Sequence, residues 1–268
     1  MAGTKQRARQ VARARYERQQ AKRRAARAKR RQRQQVIGAA LAVALVIAGV
    51  VFVMASTGGS GKKAAAAPTP TPSASATVPG TCGYVAGAKA AKSVGKPPAT
   101  GVPATGTLDA TLTFGTGVLK ASLLTAKAPC TVNSFSYLAG KKYFDKTTCH
   151  RLTTSGIFVL QCGDPTATGS GGPGYQFGEE NLPAASAGVN YPAGTLAMAN
   201  AGAGTNGSQF FIVYKDTTLP ASYTVFGTVT SGLDVVTKIA AAGVSGGGTD
   251  GKPATPVPLV SVTVKKAA

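Results

Sequence analysis

The chain has 268 residues, of which 30 are Lys or Arg and 9 are Asp or Glu, so its formal net charge is +21. It contains one His, no Trp, 34 Gly and 16 Pro. A single histidine excludes a His-rich metal site and any mechanism that needs two histidines. The many turn-forming residues and few aromatic residues argue against a helical bundle and favour a sheet-based domain.

Most of the positive charge lies in a short N-terminal segment. Residues 1–35 contain 14 Lys or Arg and a single acid, Glu17. Blocks of like charge are usually solvated tails, and Tyr16 alone offers little base stacking. We therefore predict a basic cytoplasmic tail that acts as a topology signal, touches anionic lipid head groups and binds no nucleic acid. RNA or DNA binding through this tail is the alternative.

An uncharged run follows the basic tail at once. Residues 36–54 are 19 residues without a charge, close to the length that a transmembrane helix needs. The positive-inside bias places the N-terminus in the cytoplasm and residues 55–268 outside. We predict a single-pass anchor that inserts residues 36–54 into the lipid bilayer of the cell membrane. A signal peptide cleaved near Ala55 is the alternative.

A change of composition separates this anchor from the outer domain. Residues 55–80 are rich in Ala, Pro, Ser, Thr and Gly and contain no aromatic residue. Such a segment cannot bury enough surface to offset its ordering entropy, so we predict an extended linker. We predict that residues 81–104 are an N-terminal extension of the outer domain and that residues 105–268 are the domain itself.

The outer domain is predicted to consist of short strands and two short helices. Branched or apolar residues alternate with other residues on both sides of a Gly-Thr-Gly turn, which is a hairpin signal. Proline near the start and glycine at the end predict one helix over 129–140, and a second is predicted over 232–241. Many short strands at this spacing favour an antiparallel barrel or sandwich with helices at its ends. The predicted strands are Ala110–Phe114, Val118–Leu124, Thr148–Thr153, Ile157–Cys162, 195–200, 209–214, 225–229 and Leu259–Val264.

The four cysteines are spaced for disulfides rather than for zinc, because the chain has no C-x-x-C motif and one histidine. All four lie outside the membrane in the predicted topology, where disulfides persist. If a hairpin turn is centred at residues 155–156, Cys149 and Cys162 fall opposite each other on neighbouring strands. That arrangement favours a Cys149–Cys162 bridge and leaves Cys82 for Cys130. Four free, buried thiols are the alternative.

Two glycine-rich segments match the sequence patterns of nucleotide-binding loops but lack the context that those patterns require. GSGGPG at 169–174 contains a proline and opens no helix. GGGTDGKP at 246–253 has Pro253 where Ser or Thr would bind magnesium. Both segments are predicted to be ordinary loops.

The single histidine, His150, is followed directly by Arg151. Adjacent side chains of a strand point to opposite faces, so these two residues do not share a surface. We predict a structural role for His150. The chain has no G-x-S-x-G motif either, which leaves an α/β-hydrolase site without support.

Four segments resemble the signature segments of cyclophilin-type peptidyl-prolyl isomerases. They are CHRL at 149–152, GIFVLQCGD at 156–164, MANAG at 198–202 and TNGSQFFI at 205–212. The resemblance covers roughly residues 105–266, and the anchor and extra cysteines resemble extracytoplasmic cyclophilins of high-GC Gram-positive bacteria. It implies a mainly β fold, a closed eight-stranded antiparallel barrel capped by two short helices, here preceded by one transmembrane helix and a linker.

The resemblance also implies a function and a site. The implied activity is cis-trans isomerisation of X-Pro bonds in unfolded or exported proteins outside the membrane, by a monomer that needs no cofactor or metal. Arg151 stands at the position of the family's catalytic arginine. Amide resonance gives rotation about the X-Pro bond a barrier of roughly 18–20 kcal/mol. A guanidinium that donates to the prolyl nitrogen would weaken that resonance. The implied substrate-binding residues are Phe158, Val159, Gln161, Ala199, Asn200, Gln209, Phe211, Leu219 and Tyr223.

Several positions depart from the common family pattern. Val159 stands where methionine is common, and Tyr223 stands where many members have histidine. Thr218 replaces a tryptophan that often precedes the leucine, a departure that bears on cyclosporin sensitivity and not on catalysis. Two extra residues after Arg151 predict a longer hairpin tip. A non-catalytic proline-binding or chaperone module on the same scaffold is the alternative function.

Overall fold

The computed structural model describes residues 80–185 and 188–267. The predicted basic tail, transmembrane run and nearly all of the predicted linker lie outside these described residues. Within them, neither helix combines the length and the apolar character needed to cross a membrane.

The described residues form twelve strands and two α-helices. The helices are α1 (Pro129–Gly140) and α2 (Leu233–Ala241), and a short 3₁₀ turn covers Ser245–Gly247. The strands are β1 (Val85–Ala86), β2 (Leu108–Phe114), β3 (Gly117–Leu123), β4 (Thr147–Cys149), β5 (Arg151–Thr153), β6 (Val159–Cys162), β7 (Tyr175–Gln176), β8 (Thr195–Met198), β9 (Phe210–Val213), β10 (Val225–Ser231), β11 (Asp250–Gly251) and β12 (Val257–Lys266).

Ten of these strands form one antiparallel sheet that curls on itself. Their spatial order is β11-β5-β6-β9-β8-β10-β3-β2-β12-β4. Strand β4 lies at one end of the sheet and β5 lies next to the other end, yet only His150 separates them in the chain. The prediction of a mainly β domain with two helices is confirmed. A closing ladder between the two end strands, which the predicted eight-stranded barrel requires, is absent from the strand pairings of the described residues.

The β2–β3 hairpin shows why this sequence forms strands. Alternate residues of both strands are buried, and Leu112 pairs directly with Leu119 in the interior. A period of two buries one face of a strand and leaves the other face to solvent. At the turn, Gly117 has a φ of +151°, and a Cβ there would lie 2.7 Å from the Val235 side chain. Glycine is therefore required where the hairpin passes beneath α2.

Both predicted helices are present, and α1 covers the core. Its Phe135 ring lies 5.1 Å from the ring of Phe144, 5.4 Å from that of Phe210 and 5.1 Å from that of Phe226. Clustered aromatic rings at these separations stabilise beyond their buried area. The second helix begins one residue later than predicted, because Gly232 adopts a left-handed φ of +81° as its N-cap.

The strand predicted over Thr148–Thr153 is in fact two strands. Strand β4 pairs with β12, whereas β5 pairs with β6, so the chain changes partner at His150. The strand predicted over Ile157–Cys162 begins only at Val159, because residues 155–157 form a turn of their own at the hairpin tip. The extended tip agrees with the two extra residues noted in the sequence.

Both predicted disulfides are present. Cys82 bridges to Cys130 with a Cα–Cα distance of 5.5 Å, and Cys149 bridges to Cys162 with a distance of 4.1 Å. The reason for the second bridge differs from the predicted one. Cys149 lies in β4, whose ladder partner is β12, so its bridge links β4 to β6 instead of joining two paired residues of one hairpin.

Residues 81–104 pack against the domain as an ordered extension. Strand β1 pairs with β7, and the Tyr84 ring lies 5.5 Å from the rings of both Tyr175 and Phe177. The Tyr84 hydroxyl donates to the Cys130 carbonyl oxygen at 2.7 Å. The Cys82–Cys130 bridge thus fastens the extension to α1, and β1 fastens it to β7.

Candidate functional site

A row of side chains crosses four neighbouring strands on one face of the sheet. Arg151 pairs with Gln161, Gln161 pairs with Phe211, and Phe211 pairs with Ala197. Directly opposed residues of antiparallel strands share a face, so this register places a cation, an amide and an aromatic ring side by side. The pairing explains why residues far apart in the chain form one surface.

A pocket of about 190 Å³ opens on this face. Its apolar wall includes Val159 and Phe211, which are only 3% and 4% exposed. Eight of the ten residues predicted for the site line this pocket, together with Ile157. The full lining is Arg151, Ile157, Val159, Gln161, Ala199, Asn200, Phe211, Leu219 and Tyr223.

Phe158 is the predicted site residue that lies elsewhere. Its ring packs 6.0 Å from that of Tyr214, and the Lys215 ammonium lies over it at 4.6 Å. Ile157 and Val159 line the pocket and Phe158 does not, which is the alternation expected if the strand pattern continues back to Ile157. That alternation is present in the sequence and is the signal that could have identified Ile157.

Gln209, the remaining predicted residue, lines a second pocket of about 350 Å³. The two pockets adjoin, because Gln161, Ala199 and Asn200 line both. The glycine-rich loop at 169–174 forms part of the second pocket, as does Ala88 of the N-terminal extension. A ligand that fills the first pocket can therefore extend into the second.

The Arg151 guanidinium is held on two sides. Its Nε and Nη2 donate to the two carboxylate oxygens of Asp250, each at 2.8 Å, and its Nη1 donates to Gln161 Oε1 at 3.3 Å. The hydrogen bond with Asp250 raises the pKa of Arg151 and lowers that of Asp250. Asp250 was not among the predicted site residues, because no local pattern in the sequence relates residues 99 positions apart.

An amide relay fixes the orientation of Gln161. Its Nε2 donates to Gln209 Oε1 at 2.9 Å, and Gln209 in turn donates to the carbonyl oxygens of Gly169 and Gly171 at 2.9 and 3.0 Å. The amide nitrogen of Gln161 is thus committed to Gln209. Its oxygen is left facing the Arg151 guanidinium.

Hydrogen bonds hold in place the wall of the first pocket that contains Leu219 and Tyr223. The Tyr191 hydroxyl donates to the Tyr223 carbonyl oxygen and accepts from the Tyr223 N–H, both at 3.1 Å. The Asn190 side chain similarly bonds the N–H and carbonyl of Leu219, at 3.0 and 2.7 Å. Asn200 donates to the Ser222 carbonyl oxygen at 2.8 Å. These bonds hold Leu219 and Tyr223 at the pocket.

The loop that lines the second pocket is organised by one carboxylate. Asp164 is fully buried and accepts from the N–H and hydroxyl of Thr166 and of Thr168, and from the N–H groups of Gly169 and Gly171, at 2.7–3.2 Å. Burial alone would raise the pKa of Asp164, but these hydrogen bonds lower it to about 2. A Cβ at Gly171 would lie 2.0 Å from the carboxylate, so the loop requires glycine there.

Asp164→Asn is expected to change how stability depends on pH. Because the folded pKa lies below the unfolded value, the ionised carboxylate stabilises the fold above about pH 4, and this stabilisation is lost as the pH falls towards about 2. The wild-type advantage over Asp164→Asn, measured by urea unfolding, should shrink by roughly 1–2 kcal/mol between about pH 6 and about pH 2. The exposed Asp109→Asn is the matched control, and a pH-independent difference for Asp164→Asn would contradict the assignment.

His150 lies beside this loop and outside the pocket linings. It is 8% exposed, and a Cβ at Gly169 would lie 3.6 Å from its Cδ2. Burial is the main reason that its pKa is lowered, so the imidazole is neutral at physiological pH. The prediction that His150 and Arg151 do not share a surface agrees with this placement.

The chain is similar to proteins of one known family. Residues 109–264 match the family model described as cyclophilin type peptidyl-prolyl cis-trans isomerase/CLD. Over 146 residues the chain is 59% identical to the probable peptidyl-prolyl cis-trans isomerase B of Mycobacterium tuberculosis, covering 51% of this chain and 47% of that protein. Over 150 residues it is 39% identical to the peptidyl-prolyl cis-trans isomerase-like 1 of Gibberella zeae, covering 55% of this chain and 89% of that protein.

A solved structure shows the same fold. The crystal structure of a cyclophilin-type isomerase from Cryptosporidium parvum aligns with a TM-score of 0.52 at 26% identity, over 60% of this chain and 99% of that one. The alignment with the mycobacterial relatives is less complete. It spans 47% of the Mycobacterium tuberculosis protein and 63% of its Mycobacterium leprae counterpart. By its sequence match from 109 to 264 and by its fold, the chain belongs to the cyclophilin-type peptidyl-prolyl cis-trans isomerase family.

Proposed function

We propose that this chain catalyses the cis-trans isomerisation of X-Pro bonds in polypeptides. The observation that carries the proposal is a fixed guanidinium, that of Arg151, at the edge of an apolar pocket walled by Val159, Phe211 and Leu219. An apolar pocket holds the pyrrolidine ring, and a neighbouring cation acts on the amide beside that ring. The reaction needs no nucleophile and no proton relay.

The chemistry follows from amide resonance. The barrier of roughly 18–20 kcal/mol arises because the prolyl nitrogen lone pair is delocalised into the carbonyl. In the twisted transition state that lone pair is localised on nitrogen, where an N–H of Arg151 can donate to it. A donor that interacts more strongly with the twisted state than with either planar state lowers the barrier.

The surrounding groups restrict how the substrate moves. The pocket holds the proline ring still, so rotation is confined to the preceding carbonyl. Gln161 and Asn200 line the same pocket, so we expect the peptide beside the ring to bond the second N–H of the Gln161 amide and the backbone beside Asn200. The Cryptosporidium parvum cyclophilin was also crystallised in the presence of the dipeptide Ala-Pro, which supports a proline-containing peptide as the partner of this site.

The direct test is catalysed exchange in a proline peptide. NMR exchange spectroscopy on Suc-Ala-Ala-Pro-Phe with the full-length chain in detergent micelles measures the cis-trans rate without a coupling protease. We expect cis-trans exchange of the X-Pro bond to be much faster than the uncatalysed reaction, which takes on the order of tens of seconds. Peptide shifts that report binding without faster exchange would favour the non-catalytic proline-binding or chaperone alternative.

We further propose that the chain works outside the cytoplasmic membrane as a tethered monomer. The uncharged run at 36–54, preceded by a segment of net charge +13 (14 basic residues less one acid), supports the topology. The Cys82–Cys130 and Cys149–Cys162 bridges support an oxidising compartment. External protease added to intact cells should degrade the C-terminal domain, and full protection would contradict this location.

A further inference from the structure

The glycine-rich segment at 246–253 delivers a carboxylate to the active-site arginine. Its backbone is fastened to the hairpin that carries Arg151, because β11 pairs with β5 through Asp250 and Thr153. Further bonds close the segment, from the Thr154 N–H to the Thr249 carbonyl oxygen at 2.9 Å and from the Ser245 N–H to the Lys252 carbonyl oxygen at 2.8 Å. The loop is therefore built onto the site.

The strand register explains why Asp250 meets Arg151. Residues two apart on a strand share a face, so Arg151 lies on the same face as Thr153, which is directly opposite Asp250. Diagonal neighbours across antiparallel strands lie within reach of long side chains. The result is a two-pronged contact, with each carboxylate oxygen of Asp250 2.8 Å from a different guanidinium nitrogen.

The contact leaves a defined part of the guanidinium free. Arginine offers five N–H donors in a planar fork. Asp250 takes one on Nε and one on Nη2, and Gln161 takes one on Nη1. One N–H donor on Nη1 and one on Nη2 therefore remain for substrate. The Asp250 carboxylate determines how this edge of the guanidinium is oriented.

Stability does not account for this contact. The side chains of Arg151 and Asp250 are 40% and 54% exposed, and ion pairs at such exposure contribute little to folding. Asp250 is also absent from the lining of the first pocket, so it does not touch the space where proline would sit. Asp250 therefore acts on the orientation of the Arg151 guanidinium.

We propose that Asp250 is a positioning residue, which clamps the Arg151 guanidinium so that its two remaining N–H donors face the prolyl amide. This inference rests on the proposed isomerase function. Without the clamp the arginine side chain samples other rotamers, so its donors occupy the productive position for a smaller fraction of the time. The loss falls on kcat, because binding of the proline ring depends on the apolar wall.

Asp250→Ala and Asp250→Asn in the full-length chain test the inference. We expect kcat for X-Pro exchange to fall about tenfold in Asp250→Ala and less in Asp250→Asn, with KM within about twofold of wild type. The Arg151 Nε–H resonance, which the carboxylate protects from solvent exchange, should broaden in both variants. Asp234→Asn is the matched control, since it removes an exposed ion pair, to Lys238 at 2.8 Å, away from the pockets.

The outcomes separate this inference from the proposed function. An inactive wild-type chain would contradict isomerase function and leave no rate for Asp250 to modulate. An active wild type with unchanged kcat and an unchanged Nε–H resonance in Asp250→Ala would overturn the positioning role alone. A rise in KM at constant kcat would also overturn it, because that pattern indicates uniform binding. Equal thermal unfolding of the variants and wild type verifies that the fold is retained.

Discussion

Arg151→Ala is expected to lower kcat/KM for X-Pro exchange by about 10²–10³-fold. That is the usual loss when one preorganised donor to a transition state is removed. The guanidinium is the single charged group in the lining of the first pocket, and no other lining residue offers a cationic donor. NMR exchange spectroscopy on the same proline peptide gives the rate, and kcat should account for most of the change.

Arg151→Lys separates charge from geometry. Lysine keeps the positive charge but lacks the planar fork, so it cannot hold both oxygens of Asp250 while donating to a peptide. We expect it to recover only a small part of the activity. Lys238→Ala, a surface change of one cation, is the control and should retain wild-type kcat/KM. Wild-type kcat/KM in Arg151→Ala would remove this arginine from the mechanism.

The double variant Cys82→Ser, Cys130→Ser is expected to lose about 4 kcal/mol of unfolding free energy. The bridge closes a loop between residues 48 positions apart, and the chain entropy that it removes from the unfolded state grows with loop length. Urea unfolding of the oxidised proteins measures the difference. Amide exchange at β1 should rise as well, because the bridge fastens the extension on which β1 lies.

The second bridge is an internal comparison for this prediction. Cys149→Ser, Cys162→Ser opens a loop with a separation of only 13 residues, so its expected loss is smaller, about 3 kcal/mol. A loss below about 1 kcal/mol for Cys82→Ser, Cys130→Ser would show that the extension is held by its packing around Tyr84 and not by the bridge.

Local pattern was enough to predict most of the strands and both helices. The alternation around Gly117 and the Pro-to-Gly span of α1 encode their structures in neighbouring residues, because burial of one face and capping are local requirements. The family resemblance extended the prediction to the site. It predicted Arg151, Gln161 and Phe211 as site residues, and the register of β5, β6 and β9 places them in one row.

The sequence by itself determined the strand pattern, the apolar run before the domain and the residue types of the pocket. Only the tertiary structure decided that the strand around His150 changes partner, that Ile157 replaces Phe158 in the pocket, and that Asp250 clamps Arg151. The physical reason is the range of the interaction. Periodicity and turn chemistry act between neighbours in the chain, whereas the ladder between β5 and β11 brings Arg151 to Asp250, which is 99 positions away, and no local preference encodes that choice.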